Sequence, residues 1–296
     1  MKSFTGIRGM GGSEIVRLVD EADRIRDILD RGDQLEQSLA GRCVANLFFE
    51  PSTRTRLSFD LAVQRLGGHV LTFFPETSSS LKGESLHDTV VTVAGIGADM
   101  LVVRHKEEGV PEKVGEWTGL PVVNAGDGIN EHPTQALLDL VTLKRRFGSL
   151  SGLRVGIVGD ITHSRVAGSL VHATAPLEID LVLVGPDEWL PGEPGVAQTD
   201  DLDSTLPNLD VVYLLRVQTE RGGVIDDEYV MRFGMDAKRA ATLGENAVIM
   251  HPGPINRGVE LTDEVAESPR SLITEQVRNG VPTRMAVLRS LAVSGR

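Results

Sequence analysis

The segment Ser52-Thr53-Arg54-Thr55-Arg56 places three hydroxyls and two guanidinium groups in an unbroken run. Hydroxyls donate single hydrogen bonds, and each arginine offers a planar fork suited to paired bonds with phosphate oxygens. An apolar run ends just ahead of it, at Glu50-Pro51, while Phe59, Ala62, Val63 and Leu66 follow at helical spacing. The cluster therefore belongs at a helix N-terminus, where unpaired backbone N–H groups and the helix dipole favour an anion. A capped helix with solvated arginines is the ordinary alternative for a Ser-Thr pair, and it accounts poorly for Arg-Thr-Arg. Other polar clusters recur along the chain at Arg104-His105, 127–135, 159–165, 216–221 and 251–257.

Each of these clusters follows a short, β-branched apolar run, and helix-period stretches separate the runs. That alternation predicts an α/β protein of strand-helix-strand units. Strands are expected at 44–49, 69–74, 100–103 and 122–123, then in a second series at 154–158, 180–184, 211–215 and 247–250. Two series imply two domains, each with a central parallel sheet flanked by helices. A helix over 131–144, with Pro133 in its first turn, bridges them. An amphipathic helix over 282–293 is expected to return to the first domain, giving domains of 1–134 plus 280–296 and of 135–279. Ligands of open parallel sheets bind beyond the carboxyl ends of the strands. The clusters thus predict one composite active site in the interdomain cleft.

The 296 residues carry 42 acidic against 30 basic side chains, a formal charge of −12. Such a chain is repelled by nucleic acid unless one face is strongly basic, and Lys144-Arg145-Arg146 is its longest basic run. Cys43 is the single cysteine, which excludes a disulfide framework and a thiolate metal cluster. The first residues lack the apolar stretch of a signal peptide, and no apolar run approaches the roughly 18 residues of a membrane span. The expectation is a cytoplasmic protein with no nucleic-acid or membrane partner. The turn Gly156-Ile157-Val158-Gly159-Asp160 lacks the glycine pattern of a dinucleotide site, which disfavours a dehydrogenase.

Taken together, Ser52-Thr53-Arg54-Thr55-Arg56, Asn130-Glu131-His132-Pro133-Thr134-Gln135, Arg216-Val217-Gln218 and His251-Pro252-Gly253-Pro254 resemble, in order, the motifs of the aspartate/ornithine carbamoyltransferase family over residues 41–288. Thr134 stands where the ornithine branch usually has cysteine, and 251–254 replaces that branch's Cys-Leu-Pro, so the resemblance favours the aspartate branch. It implies transfer of the carbamoyl group of carbamoyl phosphate to the amino group of L-aspartate in pyrimidine biosynthesis, with no cofactor and no metal. It further implies that Ser52, Thr53, Arg54 and Thr55 hold phosphate and that Arg104, His132 and Gln135 complete the carbamoyl phosphate pocket. Gly253 and Pro254 border that ligand with backbone carbonyls. Arg165, Arg216 and Gln218 take aspartate, while Arg221 pairs with Glu220 or another carboxylate. The resemblance also implies that, in the active site of a neighbouring subunit, Lys82 contacts both substrates, aspartate included, and Ser78, from Ser78-Ser79-Ser80, contacts the phosphate. The reactive groups are then Arg54, Thr55, Lys82, Arg104 and His132, working in a homotrimer with shared sites, alone or within a larger assembly. A carbamoyltransferase with another amino acceptor and a catalytically silent relative are the alternatives.

Overall fold

The computed structural model describes residues 2–192, 195–218 and 225–294. Arg221, and Glu220 with it, lie outside the described residues. The chain divides into two compact units. One runs to Val141 and resumes at Val277; the other is Thr142–Gln276. These divisions fall inside two helices, whereas the sequence reading set them at 134/135 and 279/280.

The first unit contains α1 (Gly12–Arg31), β1 (Cys43–Phe48), α2 (Thr53–Arg65), β2 (His69–Phe73), α3 (Leu86–Ile96), β3 (Met100–His105), α4 (Val110–Thr118) and β4 (Val122–Asp127), and α5 (Pro133–Phe147) begins in it. Its four strands are parallel, in the order β2-β1-β3-β4. Ala45, Leu47, Leu101 and Val103 of the sheet pack with Val90 and Val93 of α3 and Val110 and Val114 of α4. Every residue of β4 is buried, including Asn124 and Asp127. Buried polar groups of this kind persist only when hydrogen-bonded. The N-terminal segment helps here: Phe4 N–H donates to Val122 O at 2.7 Å, and Asn124 Nδ2 donates to Thr5 O at 2.8 Å.

The second unit contains β5 (Arg154–Val158), α6 (Arg165–Thr174), β6 (Asp180–Val184), β7 (Ala197–Thr199), α7 (Leu202–Thr205), β8 (Val211–Leu214), α8 (Asp227–Phe233), α9 (Ala237–Thr242), β9 (Val248–Met250) and α10 (Asp263–Ala266). Its five strands are also parallel, in the order β7-β6-β5-β8-β9. Val158, Val184, Val212, Leu214 and Ile249 pack with Tyr229, Phe233 and Leu243.

The last helix, α11 (Ile273–Ser294), starts nine residues earlier than the sequence reading placed it, because Pro282 lies inside it. A helix-interior proline removes one backbone donor and crowds the preceding turn. Two side chains supply donors at that turn: Thr283 Oγ1 to Asn279 O at 2.7 Å and Arg284 Nη1 to Gly280 O at 3.0 Å. No helix among the described residues is long and apolar enough to cross a membrane.

Candidate active site

In the first unit the candidate residues other than Ser78 and Lys82 occupy the carboxyl ends of three adjacent strands. Ser52 is the N-cap of α2, after β1, and its side chain makes no capping bond. No acidic residue occupies the first turn either. The turn that carries Thr53, Arg54 and Thr55 thus keeps its N–H groups and partial positive charge for an outside anion. Asn46 Nδ2 donates to Asp60 Oδ1 at 2.6 Å, tying α2 to β1. Thr55 is buried; Arg54 is exposed along its length, yet nearby protein desolvates its guanidinium and lowers its pKa. It stays cationic at neutral pH, and the desolvation strengthens its pull on a phosphate.

Parallel pairing brings Arg104 alongside, since Phe48 of β1 is in register with Arg104 of β3. Its Nη1 donates to Ala125 O at 3.2 Å, and its Nε lies 3.4 Å from Glu50 Oε2. These contacts aim the head group from both neighbouring strand ends. His105 is buried against Phe49 and accepts Glu107 N–H at Nδ1, 3.0 Å. Desolvation pushes its pKa below 6.5, against the opposing pull of Glu107 and Glu50 and with that of Lys106. The unfolded chain therefore binds more protons than the folded one just below pH 6.5, so the stability this ring contributes above that pH is lost as pH falls. Between pH 7.5 and 5.5 the urea midpoint of the wild type is expected to fall further than that of His105→Asn, whose amide oxygen can accept the same N–H. Equal falls would remove His105 from the account.

After β4 the chain turns around Asp127. Its carboxylate accepts Asn124 Nδ2 at 2.7 Å, Asn130 Nδ2 at 2.9 Å, Glu131 N–H at 3.2 Å and Gly109 N–H at 2.9 Å. Glu131 in turn accepts Ile7 N–H at 2.7 Å and Arg8 N–H at 3.2 Å. The turn is fully braced before it delivers His132 and Gln135, both buried, to the start of α5. Gln135 N–H donates to His132 O at 2.9 Å, and Gln135 Nε2 to Asp139 Oδ1 at 3.1 Å.

Ser78 and Lys82 follow β2, the edge strand. Ser78 Oγ donates to Pro75 O at 2.9 Å within its own turn, and Lys82 is exposed.

In the second unit the candidates again fall at adjacent strand ends, those of β5, β8 and β9. Gly159 has φ +118°, and a Cβ there would stand 2.9 Å from Tyr229 Oη. Only glycine fits, and the sharp exit places Asp160 in the interior. Asp160 Oδ1 lies 2.7 Å from His163 Nδ1, and Asp160 Oδ2 accepts Gln218 N–H at 3.1 Å. Ser164 caps α6 by accepting Ala167 N–H, and Arg165 opens that helix, buried. Arg216 and Gln218 follow β8 and are half-buried. Glu260 binds the segment between them: it accepts Val217 N–H at 3.0 Å, Asn256 N–H at 2.7 Å and Asn256 Nδ2 at 2.8 Å. Burial raises the Glu260 pKa while these donors oppose the rise. Gly253 N–H donates to His251 Nδ1 at 2.9 Å, and His251 N–H to Gln276 Oε1 at 3.0 Å, which fixes the Gly253-Pro254 turn. The sequence reading gave no role to Asp139, Glu260 or Arg284. Their signal is a buried ionisable side chain beside a motif, and burial cannot be read from one isolated Asp, Glu or Arg.

Residues 2–145 match the family model described as the carbamoyl-P binding domain of aspartate/ornithine carbamoyltransferase, and residues 151–291 match its Asp/Orn binding domain. The aspartate carbamoyltransferase catalytic subunit of Salinispora arenicola is 49% identical over 285 residues, 92% of each chain. That of a Parafrankia species is 50% identical over 279 residues, 92% of this chain and 90% of the relative. Among solved structures, Trypanosoma cruzi aspartate transcarbamoylase in complex with carbamoyl phosphate superposes with a TM-score of 0.90 at 35% identity, covering 98% of this chain and 95% of that one. The catalytic subunit of M. Jannaschii aspartate transcarbamoylase gives a TM-score of 0.88 at 36% identity, with 99% of both chains covered. Strand order, both family models and relatives matched over nine-tenths of the chain agree, and the chain belongs to the aspartate/ornithine carbamoyltransferase family.

Proposed function

We propose that the protein transfers the carbamoyl group of carbamoyl phosphate to the amino group of L-aspartate, yielding N-carbamoyl-L-aspartate and phosphate, a step of de novo pyrimidine biosynthesis. The observation that carries this reading is the first unit's convergence of the α2 N-terminus, Arg104, and the His132–Gln135 turn at the adjacent ends of β1, β3 and β4. In the reaction the neutral amine attacks the carbonyl carbon. A C–N bond forms, negative charge develops on the carbonyl oxygen, the C–O bond to phosphate breaks, and the proton lost by the amine ends on the departing phosphate. Arg104, Thr55 and His132 stabilise the oxygen charge; Ser52, Thr53, Arg54 and Thr55 receive the departing phosphate. Catalysis then rests on positioning and preorganised charge. Arg165 and Arg216 meet the two carboxylates of aspartate with forked donors, and Gln218 supplies a further hydrogen bond.

The working form we propose is a cytoplasmic homotrimer in which Lys82 and Ser78 of one chain serve a neighbour's site. Exposed Leu57, Phe74, Leu81 and Ile96 in the first unit support a partner surface, and exposed Lys82 lies beside Leu81 in the chain. The test is Arg165→Ala alongside wild type, assayed for N-carbamoyl-aspartate. The KM for aspartate should rise about a hundredfold, the order expected for lost hydrogen bonds to a charged group, with the KM for carbamoyl phosphate within threefold. Equal losses for both substrates would remove Arg165 from the aspartate site, and a wild type that forms no product would refute the function.

A further inference from the structure

We propose that Asp139 and Arg284 are positioning residues that lock the Gln135 carboxamide in one orientation, and thereby select a donor whose acyl group bears N–H. The inference rests on the carbamoyl phosphate reading above. Gln135 and Asp139 are one turn apart on α5 and both buried, with Nε2 donating to Oδ1 at 3.1 Å. An ionised carboxylate only accepts hydrogen bonds, so only the NH₂ end of the amide can face it. The Gln135 carbonyl oxygen is therefore turned outward as an acceptor.

Arg284 supplies a buried positive charge that interacts electrostatically with Asp139. Its side chain is almost fully buried, 5.1 Å over the Phe59 ring of α2, with Nη1 donating to Gly280 O at 3.0 Å. Burial lowers its pKa to about 10 while Asp139 raises it, so Arg284 is a cation at neutral pH. Gly280 makes room for it, since a Cβ there would come within 2.7 Å of Nη1. One buried guanidinium thus touches the helix that carries the phosphate motif and stands beside the carboxylate that orients Gln135.

A fixed acceptor distinguishes carbamoyl phosphate, which offers an NH₂, from acetyl phosphate, which presents a methyl group of similar size. Leaving a buried acceptor unpaired is what makes polar sites selective. In Asp139→Asn the new side chain can offer either oxygen or NH₂, so the Gln135 amide is released to turn.

The experiment compares kcat/KM for carbamoyl phosphate and acetyl phosphate, with L-aspartate as acceptor, in wild type, Asp139→Asn, Gly280→Ala and Arg284→Lys, each checked by its thermal midpoint. Asp139→Asn is expected to reduce the preference for carbamoyl phosphate about tenfold, by raising its KM and sparing that of aspartate. Gly280→Ala, which favours helix but displaces the guanidinium, should shift the preference the same way, and Arg284→Lys should retain most of the wild-type preference by keeping the charge. Should Asp139→Asn fail to fold, Gly280→Ala decides. A folded variant of either kind with the preference within twofold of wild type, or with equal losses for both donors, overturns the proposal. Absence of wild-type turnover would instead refute the functional reading on which it stands.

Discussion

Arg54→Ala is expected to lower kcat by roughly a thousandfold, the upper range for removing a preorganised stabiliser of developing oxygen charge. The reason lies in what remains at the α2 N-terminus. Backbone N–H groups and the hydroxyls of Ser52, Thr53 and Thr55 can still hold phosphate in the ground state, so the KM for carbamoyl phosphate rises less than kcat falls. As the C–O bond breaks, negative charge grows on the bridging oxygen, and a desolvated guanidinium stabilises it more than neutral donors do. Steady-state kinetics separate the two effects. A loss carried by KM, with kcat within tenfold of wild type, would make Arg54 a binding residue with no part in departure of the leaving group.

Mixing Lys82→Ala subunits with Arg54→Ala subunits, each expected to be inactive alone, is expected to restore part of the turnover. If each site draws Arg54 from one chain and Lys82 from a neighbour, random assortment in an equimolar mixture of cyclic trimers leaves roughly one quarter of the sites with both groups intact. The exposed position of Lys82 after the edge strand is consistent with such lending. Subunit exchange seen by native mass spectrometry without recovered activity would confine each site to one chain.

Much of the fold is legible because parallel strands buried on both faces read as apolar runs: 154–158 and 180–184 coincide with β5 and β6. β3 and β4 extend to His105 and Asp127, past the apolar residues, because Glu107 N–H and the donors around Asp127 satisfy the polar groups there. β7, Ala197–Thr199, is a three-residue edge strand with no apolar run to betray it. The phosphate motif is local and so can be read from spacing. By contrast, Arg284 and Asp139 interact electrostatically from two helices far apart in the chain, whose sequences look ordinarily amphipathic. Glu260 presents the same difficulty. It has the composition of a surface residue, and only the structure shows it clasping the backbone at Val217 and Asn256.

The net acidity of the chain has a narrow meaning. A charge of −12 describes the far field, while Arg104 near the end of β3, and Arg165 and Arg216 after β5 and β8, are buried or half-buried where screening is weaker. An overall anion can therefore bind two anionic substrates, provided its cations sit where the sheets end.

The decisive measurement supplies ¹³C-carbamoyl phosphate to the wild-type protein with L-aspartate, L-ornithine or N-acetyl-ornithine in separate reactions and follows the labelled carbon by NMR. The account predicts a carbamoyl-nitrogen product with L-aspartate, matched by phosphate release, and none with the other two. Label transferred to ornithine or N-acetyl-ornithine in preference to aspartate, or to no acceptor at all by the folded protein, would contradict it.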